Sequence, residues 1–148
     1  MSYTIRNAAP SDIPRITELM HEYIVGFYKN PWPSDEKIHL LIQTLLEKQV
    51  GIQFVVEQDT QLIGFATIYF TFSTMRAGKI TIMNDFFVLE PYRNTEIEAS
   101  LFLHCKTYSQ DQGFAYMSWI TAAQNERAQQ FFAQMGSLQG NWINYSIS

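Results

Sequence analysis

The chain has 148 residues, 47% of them hydrophobic and 16% charged, with a formal charge of -4. That length suffices for one self-supporting core spanning 1–148, and the acidic balance leaves no basic stripe for a phosphate backbone, so a nucleic-acid partner is disfavoured and an amine-bearing one mildly favoured. A lone cysteine, Cys105, excludes an internal disulfide, no Cys/His cluster has metal-ligand spacing, the segment from Met1 to Arg6 has no apolar signal-type run, and the run from Ile63 to Phe72 is broken by Gly64 and Thr67; the expectation is a cytoplasmic chain without metal or membrane span.

Tyr3 to Arg6 alternates as a short strand. Ser11 stands where a helix N-cap belongs and Asp12 in the favourable first turn. Ile13, Ile16, Leu19, Met20, Tyr23, Ile24 and Phe27 then recur at helical spacing through Tyr28. Pro31-Trp32-Pro33 stops that helix, and Ser34 caps a second whose stripe is Ile38, Leu41, Ile42, Leu45 and Leu46, ending near Gly51. Strands from Gln53 to Glu57 and Leu62 to Phe72 read as a hairpin around Gln58-Asp59-Thr60, and after a turn from Ser73 to Gly78 a further strand runs from Lys79 to Val88. A long helix follows from Thr95 to Gln112, with Ile97, Leu101, Phe102, Cys105 and Tyr108 inward and Gly113 as its stop. Ala115 to Ile120 reads as a buried strand, Asn125 to Met135 as a helix closed by Gly136, and Trp142 to Ile147 as a final strand. This order predicts an α/β fold: a mixed central sheet with helices on both faces.

The most informative stretch joins the strand ending Asp85-Phe86-Phe87-Val88 to the long helix through Pro91-Tyr92-Arg93-Asn94. A strand, a short loop and a helix N-terminus present unpaired backbone N–H groups and a positive dipole end to an anion. These residues, with Thr71-Phe72-Ser73-Thr74 before the strand and Asn125-Glu126-Arg127-Ala128 through Phe131-Phe132 to Gly136, make the chain resemble the GNAT superfamily of acyl-CoA-dependent N-acetyltransferases over nearly its whole length. In pattern it is closest to the diamine and polyamine acetyltransferases.

The resemblance implies direct attack of a neutral amine on the thioester of acetyl-CoA, with no covalent enzyme intermediate. It implies main-chain contacts from Phe86, Phe87 and Val88 to the pantetheine arm. It assigns the diphosphate to the loop Arg93, Asn94, Thr95, Glu96, Ile97, Glu98 and Ala99, and a further cofactor contact to Asn125. Asp85, the one acid left where polyamine-type relatives carry an acidic pair, is the candidate for orienting the amine or relaying its proton; capping backbone at a strand distortion is its structural alternative. A small amine substrate and a homodimer are compatible with the same resemblance.

Three departures bear on chemistry. The family pattern Arg/Gln-x-x-Gly-x-Gly/Ala reads here Arg93-Asn94-Thr95-Glu96-Ile97-Glu98, with carboxylates in place of both glycines. Two carboxylates facing the cleft would repel a diphosphate, and acetyl-CoA binding is in doubt on that ground; a non-catalytic interaction or ligand-sensing module with a blocked coenzyme A site is the alternative function. The same residues fit a Thr-x-x-Glu capping box, Thr95 to Glu98, which would satisfy the helix from within. Arg93 could neutralise a phosphate or pair with Glu96. Phe132 occupies the position where relatives often place a tyrosine acid, with Tyr145 and Tyr116 as substitutes that fit strand cores better. His21, His39 and His104 read as surface or structural, and Cys105 as a packed thiol. Trp32, Tyr28 and Phe72 are candidates for an acceptor cleft.

Overall fold

The computed structural model describes residues 2–148. Five strands, β1 (Thr4–Asn7), β2 (Gly51–Gln58), β3 (Gln61–Ser73), β4 (Gly78–Val88) and β5 (Met117–Ser118), form one sheet in the order β1-β2-β3-β4-β5. The first four are antiparallel neighbours and β5 runs parallel to β4, so the sheet is mixed, as expected.

Helices cover both faces. On one lie α1 (Ile13–His21) and α2 (Asp35–Leu46), whose Ile16, Leu19, Ile38 and Ile42 pack on Val55, Leu62, Phe65 and Phe87. On the other lie α3 (Glu96–Asp111) and α4 (Glu126–Gln134), whose Leu101, Phe102, Cys105, Phe131 and Phe132 pack on Phe54, Ala66, Ile68 and Met83. β2 is buried along nearly its whole length because both layers press on it. Full burial of a side chain such as Phe54 or Phe65 stabilises by about 1.5–3 kcal/mol. Gly113 and Gly136, at φ 81° and 88°, follow the ends of α3 and α4, where a left-handed residue turns the chain out of a helix.

Several expectations need correction. Ser11 does not cap the first helix; a short helical turn over Pro10–Asp12 precedes it, and Asp12 Oδ2 accepts the Ala9 N–H at 2.8 Å. Asp12 is held there by Arg6, whose guanidinium donates to both carboxylate oxygens at 2.7 and 3.0 Å. The helix also does not run evenly to Tyr28. Its last part, Glu22–Phe27, widens into a π-helical segment in which Tyr28 N–H reaches back to the Tyr23 carbonyl at 3.1 Å. Ser34 does cap α2, accepting the Lys37 N–H at 3.1 Å.

The strand expected from Ala115 to Ile120 shortens to Met117–Ser118, because β4 diverges and removes its partner. The strand expected from Trp142 to Ile147 does not form: the segment is exposed and has no neighbour to complete its backbone hydrogen bonds. None of the helices among the described residues is long and apolar enough to cross a membrane.

Candidate functional site

The site begins with an extra residue. Thr67 pairs with Asp85 and Ile68 with Met83, so Asn84 is inserted into β4 as a bulge. The insertion shifts the alternation, placing Asp85 and Phe87 toward α1 while Phe86 and Val88 join Met83 on the α3 side. β4 and β5 are paired at Thr81 with Met117 and at Ile82 with Ser118, and beyond those residues they part. A cleft opens in the gap, its walls including Asn84, Phe86 and Val88 on β4 and Trp119, Ile120 and Thr121 beyond β5. Tyr23, Phe27 and Tyr28, from the π-helical segment and its end, line the same cleft. Main-chain groups along such a divergence lack strand partners and are free for water or an extended ligand.

Asp85 sits beside this cleft in a polar chain the sequence reading did not assemble. The Asn84 amide donates to its carboxylate at 3.2 Å, and the Thr67 and Tyr23 hydroxyls stand close enough to favour the charged form. Behind it the buried Gln53 amide donates to the Thr67 hydroxyl at 3.0 Å. Burial pushes the Asp85 carboxyl above the ordinary carboxylate value, and these three polar neighbours pull the other way. Burial, then the Asp85 charge, pushes the Tyr23 hydroxyl well up, and the same causes raise Tyr69 to about 12. Tyr23 therefore stays protonated and available as a donor to Asp85 at neutral pH. Asp85 does lie at a strand distortion, as its structural alternative had it, yet the extra residue there is Asn84.

The α3 end of the cleft is closed from within. Thr95 is the N-cap, but its hydroxyl accepts the Ile97 N–H at 3.3 Å, and Glu98 Oε1 accepts the Asn94 N–H at 2.9 Å, one residue earlier than a capping box requires. Asn94 is left-handed, at φ 61°, a conformation asparagine tolerates well. Glu98 is only 2% exposed and is gripped by Arg127 of α4 through two hydrogen bonds of 3.0 Å. Arg127 also donates to the Asn94 side-chain oxygen at 3.1 Å. A carboxylate thus occupies a backbone donor of the kind an external phosphate would use. Glu96, by contrast, is exposed.

Arg93 does not pair with Glu96. Its Nε donates to the Val88 carbonyl at 3.1 Å, and its guanidinium lies 5.2 Å from the Phe27 ring centroid and 5.4 Å from that of Phe87. Ile97 is buried in the α3 core and Ala99 half-buried. Asn94, Thr95, Ala99 and Arg127 border a second, open groove of about 290 Å³ running toward α4. Asn125 lines the first cleft, but its side-chain oxygen caps α4 by accepting the Ala128 N–H at 3.1 Å.

Phe132 is buried and packs against Phe86, Phe102 and Trp119 at the cleft wall, where it offers no proton. Neither substitute reaches the cleft. Tyr145 is exposed on the C-terminal segment and Tyr116 lies under Arg76, so neither fills the strand core that the sequence suggested. Of the aromatic candidates, Tyr28 lines the cleft, whereas Trp32 packs beside α1 and bonds Asp35, and Phe72 is exposed. His21 packs tilted against Trp32 at 5.0 Å, His104 packs edge-on to Phe54 at 4.6 Å, and Cys105 is buried with its thiol pushed up by desolvation.

Sequence reasoning missed Gln53, Thr67, Tyr23 and Arg127 as members of the site. Gln53 and Thr67 had a readable signal, being polar residues inside otherwise apolar strands. Arg127 had none, since its partner lies on another helix.

With this geometry in view, similarity to known proteins becomes informative. An uncharacterized N-acetyltransferase of Bacillus subtilis (strain 168), YhfO, is 29% identical over 133 residues, covering 89% of this chain and 87% of the relative. The crystal structure of a probable acetyltransferase superposes with a TM-score of 0.85 at 22% identity, over 98% of this chain and 97% of its own. The aminoglycoside N-acetyltransferase AAC(6')-Iy, solved in complex with CoA, superposes with a TM-score of 0.83 at 16% identity over 99% and 95%. At such identities the two structures speak for the fold alone. Residues 16–136 match the acetyltransferase (GNAT) family, and the chain, with its mixed sheet parted between β4 and β5, belongs to that family.

Proposed function

We propose that this chain transfers an acetyl group from acetyl-CoA to a small primary amine, with Asp85 managing the proton of the amine. The observation that carries the reading is the position of Asp85 at the Asn84 bulge: it accepts from Asn84 and is flanked by Tyr23, both of which line the cleft between β4 and the chain beyond β5, and burial raises its pKa. A carboxylate in that state can hold an ammonium group and accept its proton, directly or through water, leaving the neutral amine required for attack. Tyr23 and Thr67 flank it, and Phe27, Tyr28 and Phe86 give the cleft aromatic walls. The acidic net charge favours a cationic acceptor of the diamine or polyamine kind.

Acetyl-CoA supplies the acetyl group as a thioester activated for aminolysis. The residues fit its two halves unequally. The parted strands, with Phe86, Phe87 and Val88 on one side, offer the main-chain groups that suit a pantetheine arm, although the Val88 carbonyl is already taken by Arg93. The loop from Arg93 to Ala99 is a poor diphosphate seat because Glu98 fills its Asn94 N–H. No tyrosine acid stands at Phe132, so solvent protonates the thiolate that leaves.

A second reading is favoured by that Glu98–Arg127 closure: a non-catalytic module that keeps the fold and binds an amine without acetylating it. The two are separated by incubating the protein with small amines and either acetyl-CoA or acetyl-pantetheine, and reading acetylated amine by mass spectrometry. Transfer that is lost in Asp85→Asn is the expected result. No product from either donor, with amine binding intact, would overturn the catalytic reading in favour of the second.

A further inference from the structure

Gln53, Thr67 and Asp85 stand side by side on neighbouring strands: Gln53 of β2 pairs with Thr67 of β3, and Thr67 with Asp85 of β4. Strand alternation sets them on the α1 face with Val55, Phe65 and Phe87. Tyr23 packs on the same face, its ring 5.6 Å from those of Phe65 and Phe87. A polar row therefore crosses an apolar face from β2 to the cleft. Gln53 is only 2% exposed, and Thr67 is fully buried.

Packing does not explain Gln53. A leucine or methionine would fill the same space with every atom satisfied, whereas Gln53 Oε1 has no hydrogen-bond partner among the described residues. What the amide alone supplies is a donor, and Nε2 gives it to the Thr67 hydroxyl at 3.0 Å. A hydroxyl has one proton and two lone pairs. With a lone pair engaged from the β2 side, the Thr67 proton turns toward β4, where Asp85 stands. The reverse orientation of the amide would draw that proton away from a carboxylate, and would leave the nitrogen, a double donor, unpaired in place of the oxygen.

We propose that Gln53 is a positioning residue: through its hydrogen bond to Thr67 it aims the Thr67 hydroxyl at Asp85 and holds the carboxylate ready for an ammonium group. This rests on the reading of Asp85 as the acceptor of the amine's proton, and it adds a residue that never touches substrate. The groups facing Asp85 are Thr67 and Tyr69 from β3, Asn84 beside it on β4 and Tyr23 from the π-helical segment. Both tyrosines are raised and stay protonated at neutral pH. Arg93, on the loop after β4, is engaged with the Val88 carbonyl and with the Phe27 and Phe87 rings.

The test is titration of the Asp85 carboxyl carbon by NMR in the full chain, a measurement that needs no acyl donor. A hydrogen bond to the charged form lowers a carboxyl pKa, so losing the aim of Thr67 raises it. Gln53→Met is expected to move the midpoint up by about half to one pH unit, and Thr67→Val by at least as much. Thr67→Ser keeps the hydroxyl and is expected to stay close to the wild type. Gln53→Met combined with Thr67→Val is expected to match Thr67→Val alone, because Gln53 then has nothing to act through. In the acetylation assay the acid limb of kcat/KM is expected to move with the midpoint. Far-UV circular dichroism and the thermal midpoint check folding. Gln53→Asn, one methylene shorter and so drawn back from Thr67, takes the place of Gln53→Met should that variant fail to fold. An unchanged midpoint in Gln53→Met, or an equal further shift when it is added to Thr67→Val, overturns the proposal. A shifted midpoint in a protein that acetylates no amine sustains the positioning role while the catalytic reading falls.

Discussion

Neutralising Glu98 should convert the α3 terminus from a filled site into an anion site. The Glu98 carboxylate lies 2.9 Å from the Asn94 nitrogen, so a phosphate using that N–H would stand within about 6 Å of the carboxylate. Two unit charges at that distance, at an effective dielectric near 20, repel by about 3 kcal/mol. Arg127 offsets part of this, since its guanidinium bonds both carboxylate oxygens at 3.0 Å. A helix terminus returns only about 0.3–1 kcal/mol to the anion, which does not cover the difference. Glu98→Gln retains an oxygen for the Asn94 N–H, removes the charge and frees Arg127 for phosphate. Affinity for acetyl-CoA measured by calorimetric titration should rise at least tenfold, about 1.4 kcal/mol, and the gain should shrink as salt is added. Acetyl-pantetheine, which lacks the diphosphate, should gain nothing. The variant should also lose about 1–3 kcal/mol of stability, less than a fully buried pair would lose because Arg127 is partly exposed. Equal affinities for acetyl-CoA in wild type and variant, or an equal gain for both ligands, would refute the charge argument.

Asp85→Asn should remove the acid limb of the pH–kcat/KM profile for amine acetylation, a limb that lies above the ordinary carboxylate range because burial raises Asp85. Linkage runs the same way: a carboxyl with a raised folded pKa stabilises fully below its unfolded value and loses that contribution as pH rises through the folded one, so denaturant titrations should show the Asn variant losing this slope. Asp12 is opposite in sign, since the Arg6 guanidinium holds it below its ordinary value. Asp12→Asn should cost about 1.5–3 kcal/mol in urea unfolding at pH 7, and the deficit should disappear as pH falls through the lowered folded pKa. Gly64→Ala would set a Cβ 2.8 Å from the Phe87 carbonyl and 2.8 Å from Val88 Cγ1. It should lower stability by about 1–3 kcal/mol in the same assay, and an unchanged midpoint would show that β3 and β4 yield easily there.

Helices and long strands were legible in the sequence because their evidence is local. The stripe from Ile38 to Leu46 has its cap at Ser34, and Gly113 and Gly136 end α3 and α4 where composition placed the stops. What escaped depends on partners far along the chain. The bulge at Asn84 exists only relative to Thr67 and Ile68, and it decides that Asp85 meets Tyr23. The length of β5 depends on where β4 leaves it, which the apolar pattern from Ala115 to Ile120 does not record. At the candidate site, the spacing of Thr95 and Glu98 pointed correctly to a helix that satisfies its own donors, but by one residue it named the wrong N–H. The Arg127 contact that buries Glu98 spans 29 positions and two helices, beyond any local pattern.

The two halves of the cleft answer to different physical demands, and that asymmetry predicts how a donor is recognised. Parting β4 from β5 forgoes ladder hydrogen bonds beyond Ile82, a cost offset when an extended ligand takes those groups. Closing the α3 terminus with Glu98 has the reverse character, because it satisfies an N–H internally and leaves the diphosphate less to gain. Recognition should therefore rest on the pantetheine arm. Charge-assisted hydrogen bonds are worth about 1.5–3 kcal/mol each, so an enzyme whose cradle makes two of them should favour acetyl-CoA over acetyl-pantetheine by roughly a hundredfold or more. In this chain the kcat/KM values for the two donors should lie within about tenfold of each other, and the preference should emerge in Glu98→Gln. A wild-type preference for acetyl-CoA beyond a hundredfold would mean that the diphosphate is held elsewhere, with Arg127 and the groove of about 290 Å³ beside α4 as the next place to look.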